Sequence, residues 1–372
     1  MTVSRRHFLL GSVALPAFPA FAAKPAGEQP NIVLMIADGL GAWMLGCYGN
    51  KETRTPHIDS LAVNGTRALN HYAAAPVPAP GREALLTGGG QTAIDKVLGG
   101  AGYLCQTVSG GADAVKFIES QSAGKPFLLI VNFAPYEGSP DAKYVVPYAQ
   151  ANFDTWPHEP PAKNARNADP MGRDFLANLR KIAAATAAFD DQVGAISDAI
   201  AQKKLTDGTL MILTASCGSL FGAHGLWGDG MASDPVNMYE EVVNTPMVWM
   251  WPGRVPPRAV RPEMLSAIDL LPTACVIAGA DLPSAGIAGR SYVSLGTGVP
   301  LPKKQPWKTT VFARYGNTAM ARTDRYKLVL RDGGKGPGEL YDDRTDPKER
   351  VNQYDNPQFL TVKNSLSAEL KK

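Results

Sequence analysis

The sequence predicts an α/β protein with a doubly wound, mostly parallel sheet flanked by helices, followed by a small C-terminal antiparallel α+β subdomain. Two observations support this fold class. Several short apolar runs lack polar alternation, which is typical of strands buried on both faces of a parallel sheet. Segments with helical spacing lie between these runs, and strands that alternate with helices favour a doubly wound sheet.

The strands of the main sheet are predicted from four apolar runs, which are Asn31–Ala37, Pro126–Ala134, Thr209–Ala215 and Met247–Trp251. Helical spacing predicts helices at Ile58–Ala62, Glu83–Leu86, Ala114–Ile118, Phe175–Ile200 and Met264–Ala278. The helix at Phe175–Ile200 is the longest, with apolar residues at steps of three or four. A proline-rich coil from Gly138 to Asp169 either lines a cleft or covers the sheet.

The C-terminal part has a different pattern from the rest of the chain. The prolines of Leu301–Pro306 indicate a linker, after which strands are predicted at Val311–Tyr315 and Tyr326–Leu330 and a helix at Phe359–Leu370. A chain of 372 residues exceeds the size at which a single core usually stops growing. We therefore predict a main domain over residues 23–305 and an antiparallel subdomain over residues 306–372.

The first 22 residues have the parts of an export signal in order. The paired Arg5 and Arg6 precede an apolar run, and the small residues Ala20 and Ala22 suit cleavage after Ala22. Paired arginines indicate the twin-arginine route, and the apolar run is shorter than the roughly 20 residues that a membrane span needs. We expect a periplasmic or secreted protein with no membrane span after cleavage. The alternative is a basic tail with a chance apolar patch.

Charge and cysteine content limit the possible functions further. Without residues 1–22 the basic and acidic residues nearly balance, so the sequence gives no sign of a nucleic-acid-binding surface. The four cysteines, Cys47, Cys105, Cys217 and Cys275, have no CxxC or metal-site spacing. A protein that folds before export first meets a reducing cytosol, so we favour buried free thiols over disulfides.

Several short phrases follow one another along the chain. They are PNIVLMIAD at Pro30–Asp38, AAAPVPAPGREALLTG at Ala73–Gly88, the loop Thr214–Gly228, YEEVVNTP at Tyr239–Pro246, IDLLPTACVIAG at Ile268–Gly279 and ELYDDRTDPKERVN at Glu339–Asn352. Each phrase is weak alone, but their common order from about residue 30 to 360 is specific. In this order they resemble the sulfatase family of the alkaline phosphatase superfamily.

The resemblance implies a chemistry whose nucleophile this chain lacks. Sulfatases use a formylglycine made from the Cys or Ser of a C/S-x-P-x-R segment, and its hydrate attacks sulfur beside a divalent cation and cationic side chains. Here Pro80 and Arg82 fill the proline and arginine positions, and Pro78 stands at the nucleophile position. Proline has no hydroxyl, thiol or proton to give, so the family mechanism is not expected.

The resemblance also implies a calcium-type site that has lost most of its ligands. Asp38 stands as the first ligand, but its neighbour is Gly39 where the family has a second aspartate, and the later loop has Ser216 and Cys217 in place of Asp and Asn or His. A thiol and a hydroxyl are poor ligands for calcium. We expect no cofactor unless catalysis persists.

The cationic side chains that would hold a sulfate are mostly replaced as well. By the family pattern, Gly110 and Ala112 stand near the positions of a Lys and a His, Tyr136 replaces a His, and Asp229 replaces a Lys. Of the cationic groups, the resemblance leaves Arg82 and His224.

Each remaining site candidate has a functional and a structural interpretation. Asp38 either binds a ligand at a strand's C-terminal end or caps a turn, and Arg82 either binds an anion or forms a structural salt bridge. Tyr136 either donates a hydrogen bond to a ligand or packs as an aromatic. Cys217 and His224 either bind a soft metal or are a buried thiol and a loop histidine.

Our leading hypothesis from the sequence is a non-catalytic sulfatase homologue that binds a small anionic ligand or a periplasmic protein through the altered cleft. The alternative is an active hydrolase of sulfuric or phosphoric esters that uses another nucleophile or directly activated water, with a divalent cation such as calcium. A third possibility is a scaffold protein that uses only its surface.

Overall fold

The computed structural model describes residues 29–122, 124–283, 286–297 and 306–371. The predicted export signal lies outside these residues, as does the predicted linker except Pro306. Within the described ranges no helix has the length and apolar character required to cross a membrane.

A seven-stranded sheet forms the centre of the molecule, with the strand order β3-β4-β1-β5-β6-β2-β7. All neighbouring pairs are parallel except those made by β6, which runs antiparallel to both β5 and β2. The predicted mostly parallel sheet is confirmed. Its strands are β1 Asn31–Ala37, β2 Thr66–Tyr72, β3 Leu104–Ser109, β4 Phe127–Phe133, β5 Thr209–Ala215, β6 Met247–Met250 and β7 Ala259–Ser266.

Helices cover both faces of this sheet, which completes the predicted doubly wound arrangement. The longest, α6, begins at the predicted Phe175 and extends two residues beyond the predicted Ile200. The helices are α1 Pro56–Asn64, α2 Pro78–Thr87, α3 Ile94–Gly100, α4 Gly111–Ser120, α5 Ala142–Val145, α6 Phe175–Gln202, α7 Glu240–Val243, α8 Leu270–Ala278, α9 Val293–Thr297 and α10 Leu360–Leu370.

The predicted helix Met264–Ala278 is wrong in its first part. Met264 to Ser266 belong to β7, and α8 begins only at Leu270. The chain turns because Ser266 and Asp269 form a reciprocal capping box, in which each side chain meets the other residue's backbone N–H. The apolar residues of Met264–Ala278 continue across this turn, so their periodicity alone does not separate the strand from the helix.

The alternation of β1 side chains divides the core into two layers. Val33, Met35 and Ala37 pack with residues of α1, α4 and α6 on one face. Ile32, Leu34 and Ile36 pack with residues of α2, α3 and α8 on the other face. Every residue of β1 after Asn31 is buried, as expected for a central strand of a parallel sheet.

The C-terminal part forms a four-stranded antiparallel sheet in the order β11-β10-β9-β8, with α10 packed against β9 and β10. Its strands are β8 Thr310–Tyr315, β9 Thr318–Thr323, β10 Tyr326–Arg331 and β11 Glu339–Asp342. The ammonium of Lys327, a fully buried residue of β10, lies 2.8 Å from Glu240 of α7 and 2.6 Å from Glu349. This buried ion pair joins the small sheet to the main body.

The proline-rich coil packs on the core, and the prediction of buried free thiols holds for two of the four cysteines. The coil between residues 138 and 169 covers the molecule, because Phe153 and Trp156 are buried in the core, where Trp156 meets Trp43 edge to face. All four cysteines are free, with Cys217 and Cys275 buried.

Asp190 of α6 accepts hydrogen bonds from the backbone N–H groups of His57 and Ile58 at the start of α1. These two bonds give Asp190 a structural role, because they join α6 to the start of α1.

Candidate functional site

The candidate site lies where three neighbouring strands end. Asp38 directly follows β1, Ser216 directly follows β5, and Tyr136 lies three residues after β4. Because β1 pairs in parallel with both β4 and β5, their carboxyl ends meet at one edge of the sheet. This edge is where open α/β sheets bind ligands.

Helix α2 brings Pro78 and Arg82 to the same edge. Pro78 occupies the first turn, where its missing N–H costs no hydrogen bond. Gly81 allows the helix to approach β5 closely, since a Cβ at this position would overlap the carbonyl oxygen of Ser216. One residue later, Arg82 reaches the carboxylate of Asp38 and forms an ion pair with it through Nη2 and Oδ2.

The carboxylate of Asp38 is therefore held by two side chains of the protein. Arg82 takes Oδ2, and the Ser216 hydroxyl donates a 2.6 Å hydrogen bond to Oδ1. The side chains of Arg82 and Asp38 are only 30% and 18% exposed, so water weakens their attraction little. The structure brings Asp38, Arg82 and Ser216 together, and the guanidinium supplies the positive charge beside Asp38.

These residues do not fit a calcium-type cation. The donors beside Asp38 are the hydroxyl of Ser216 and the thiol of Cys217, while a hard cation prefers six or more oxygens, several of them from carboxylates. Gly39 has a φ of +75°, and a Cβ there would lie 2.9 Å from the Ser219 hydroxyl oxygen. A second aspartate at position 39 would therefore strain the backbone and crowd Ser219.

Cys217 and Tyr136 are placed for packing. Cys217 is fully buried, and burial raises the pKa of its thiol to about 12, so the thiol is protonated at neutral pH. The Tyr136 hydroxyl lies 3.3 Å from Oγ1 of Thr186 and 3.5 Å from Sδ of Met44, and burial raises the pKa of this phenol. Tyr136 presents its ring to the cleft while its hydroxyl is used inside the protein.

The structure does not bring His224 into this cleft. Its ring stacks on Tyr239 with a centroid distance of 3.6 Å, and Nε2 lies 3.4 Å from Glu241 Oε2. His224, Glu241 and Glu349 form a partly buried polar group whose possible ligand atoms lie within 4.8 Å of one another. Cys217 is not part of this group. The ammonium of Lys327 is shared between Glu349 and Glu240, so the group belongs to a structural ion-pair network.

An open cleft of about 220 Å³ lies beside Asp38 and Pro78. Sequence reasoning missed four of the residues that line it: Glu137, Ser219, Phe221 and Trp227. Glu137 is adjacent to the predicted Tyr136, and the other three lie in the Thr214–Gly228 loop. The family pattern marks that loop for its metal ligands, and no motif marks its aromatic residues. Asp229 also lines the cleft, and none of the described lining residues is basic.

Family comparisons match both ends of the chain. The family model described as "Sulfatase" matches residues 30–97, and the one described as "N-sulphoglucosamine sulphohydrolase, C-terminal" matches residues 228–372. Arylsulfatase A of Homo sapiens is 28% identical, with 73% of this chain and 69% of that protein covered. The chain belongs to the sulfatase family.

Relatives within the sulfatase family differ in how much of their length they share with this chain. Steryl-sulfatase of Mus musculus is 52% identical over 79 residues, which cover 21% of this chain but only 12% of that protein. An uncharacterised sulfatase of Escherichia coli (strain K12) is 24% identical and covers 91% of this chain and 86% of its own length.

Solved structures confirm the sulfatase and alkaline-phosphatase-like fold. A protein solved in complex with its substrate D-glucosamine-2-N,6-O-disulfate has a TM-score of 0.81 at 18% identity, with 92% of this chain and 97% of that chain covered. The phosphonate monoester hydrolase of Agrobacterium radiobacter has a TM-score of 0.76 at 17% identity, with 92% and 95% covered. At these identities the likeness is one of fold.

Proposed function

We propose that this protein is an exported, non-catalytic member of the sulfatase family that binds a ligand in the cleft beside Asp38. Its export is inferred from the twin-arginine signal pattern of residues 1–22. The absence of catalysis is inferred from the site itself. The ligand role rests on the open cleft at the sheet edge, where α/β proteins bind their ligands.

The observation that carries the proposal is the pairing of Asp38 with Arg82 and Ser216. In an enzyme of this family, the aspartate would bind a metal and the arginine would face the substrate. Here both carboxylate oxygens of Asp38 already have partners, and Arg82 directs its charge at Asp38 through Nη2, while its Nε has no hydrogen-bond partner among the described residues. Pro78 at the start of α2 adds no nucleophile, because its side chain has no hydroxyl or thiol that could attack.

The charge of the cleft bears on the choice of ligand. Its described charged residues are Asp38, Glu137 and Asp229, and only Asp38 has a cationic partner there. A sulfate or phosphate group placed in this cleft would meet carboxylates without the cationic side chains that such groups need. The negative charge of the cleft therefore disfavours the anionic ligand that the sequence predicts. It disfavours the hydrolysis of sulfate and phosphate esters for the same reason.

Turnover assays test the non-catalytic proposal. Purified protein would be incubated with 4-nitrophenyl sulfate, 4-nitrophenyl phosphate and an aryl phosphonate monoester, each with calcium, magnesium, manganese or zinc. We expect no release of 4-nitrophenol above the rate of buffer alone. An Asp38→Ala variant is the matched control, because any true activity of this cleft would be lost in it.

One outcome would contradict the proposal. If the wild type hydrolyses any of these esters and Asp38→Ala or Arg82→Ala abolishes the reaction, the protein is an active hydrolase that works without formylglycine. Hydrolysis that persists unchanged in both variants would point to a contaminating enzyme and would leave the proposal standing.

A further inference from the structure

The cleft beside Asp38 is walled by aromatic rings on one side. Phe221 lies between Tyr136 and Trp227, with ring centroids 5.0 Å and 5.2 Å apart, and both contacts are edge to face. All three residues line the cleft. In an edge-to-face pair the edge of one ring lies against the face of the next, so the three rings form one continuous aromatic wall of the cleft.

The loop that carries this wall is held in an unusual backbone conformation. Phe221, Gly222 and His224 all have positive φ values, of 40°, 109° and 57°. Such values are costly for residues with a side chain and persist where the surrounding structure enforces them. The stacking of His224 on Tyr239 and the burial of Phe221 hold the loop in place.

Two carboxylates of the cleft have no ion-pair partner among the described residues. Asp229 accepts a hydrogen bond from the backbone N–H of Met231, and Glu137 is exposed at the cleft's rim. Burial raises the pKa of the Asp229 carboxyl, which reflects a negative charge held partly out of water. A cation in the cleft would supply the countercharge that the protein does not.

The hydroxyl of Ser219 also lines this space. Ser219 as a residue is only 5% exposed, and no described residue accepts from or donates to its Oγ, which opens to the cleft. The hydroxyl is therefore available to a polar group of a ligand. This observation is independent of the acidic and aromatic residues.

We propose that the cleft binds a small organic ammonium ion, whose charged head lies against the rings of Tyr136, Phe221 and Trp227 and is balanced by Asp229 and Glu137. Aromatic walls attract cations through the ring quadrupole, and carboxylates attract them through charge. The Ser219 hydroxyl is placed to bind a polar group of the same ligand. The proposal rests on the proposed function, since it names the ligand class of the same cleft.

Binding of choline tests this proposal against a neutral molecule of the same shape. Titration calorimetry at low salt would compare choline chloride with 3,3-dimethylbutan-1-ol, which replaces the charged nitrogen by carbon, and with sodium sulfate. We expect choline to bind and the neutral alcohol to bind at least about tenfold more weakly, because it loses both the cation–π and the charge interactions. We expect sulfate not to bind.

Variants localise the effect to the cleft. Asp229→Asn keeps an acceptor for the Met231 N–H, so the local turn is preserved while the charge is removed. This variant and Glu137→Gln should each weaken choline binding by about tenfold, the usual cost of one charge-assisted contact. The exposed Glu119 on α4 lies outside the cleft, so Glu119→Gln makes the same charge change and should bind choline as the wild type does.

Three results would overturn the inference: no detectable choline binding, equal affinity for choline and the neutral alcohol, or tighter binding of sulfate than of choline. These outcomes are separate from the fate of the proposed function, which depends on ester turnover. A protein that binds choline and also hydrolyses an ester would refute only the non-catalytic role.

Discussion

Asp38 is paired with an arginine here, whereas the family pattern implies an aspartate that binds a metal ion. Its two carboxylate oxygens bind Arg82 and Ser216, both supplied by the chain itself. An arginine carries a permanent charge and a rigid set of donors, so it neutralises a carboxylate without the water loss and multiple ligands that a metal ion requires. At the scale of the residue, the charge of Asp38 is therefore balanced within the chain.

A double-mutant cycle measures how strongly Asp38 and Arg82 depend on each other. We expect Asp38→Ala and Arg82→Ala to be coupled by about 1–2 kcal/mol in the free energy of unfolding, less than a fully buried pair because Arg82 is 30% exposed. The exposed pair Lys116 and Asp113 on α4 is the matched control, with an expected coupling of about 0.5 kcal/mol or less. Equal couplings for the two pairs would show that Asp38 and Arg82 are not held together.

At the scale of elements, the site depends on how closely α2 approaches the end of β5. Gly81 makes this contact possible, and the helix in turn sets the position of Arg82. A glycine inside a helix normally costs stability relative to alanine, so its presence here needs a packing reason. The carbonyl oxygen of Ser216 is that reason.

Replacing a glycine inside a helix by alanine usually raises the free energy of unfolding. At Gly81 the same replacement should lower it. We expect Gly81→Ala to lower the free energy of unfolding by about 1–3 kcal/mol, because the new methyl group overpacks against Ser216. In Gly100→Ala, at the end of α3, the added Cβ meets open space. That control should be neutral or stabilising by up to about 1 kcal/mol. Denaturant unfolding of both variants measures these changes. Similar changes in the free energy of unfolding for Gly81→Ala and Gly100→Ala would contradict the close approach of α2 to Ser216.

At the scale of the whole molecule, the sequence predicted the architecture better than it predicted the cleft. The strands β1 and β5 match their predicted bounds because each is one unbroken apolar run. The strands β2 and β3 were missed, since Thr66–Tyr72 mixes polar with apolar residues and Leu104–Ser109 is a partly exposed edge strand. Their places are set by neighbouring strands rather than by their own pattern.

The cleft was harder to predict because its residues come together only through the fold. The family pattern identified Asp38, Pro78 and Arg82 and marked which ligands had been replaced, but it did not show that Arg82 turns onto Asp38. It also placed His224 with them, whereas the loop conformation directs this ring toward Tyr239 and Glu241. The acidic and aromatic wall followed no motif, so sequence spacing gave no signal of it.

The central claim is that the protein's own arginine has taken the place of a metal ion beside Asp38, and metal content tests it most directly. Protein purified without chelators would be dialysed against calcium, then against metal-free buffer, and analysed by inductively coupled plasma mass spectrometry. We predict bound divalent metal far below one ion per chain, unchanged by Asp38→Ala. A content near one ion per chain that falls to background in Asp38→Ala would contradict the claim.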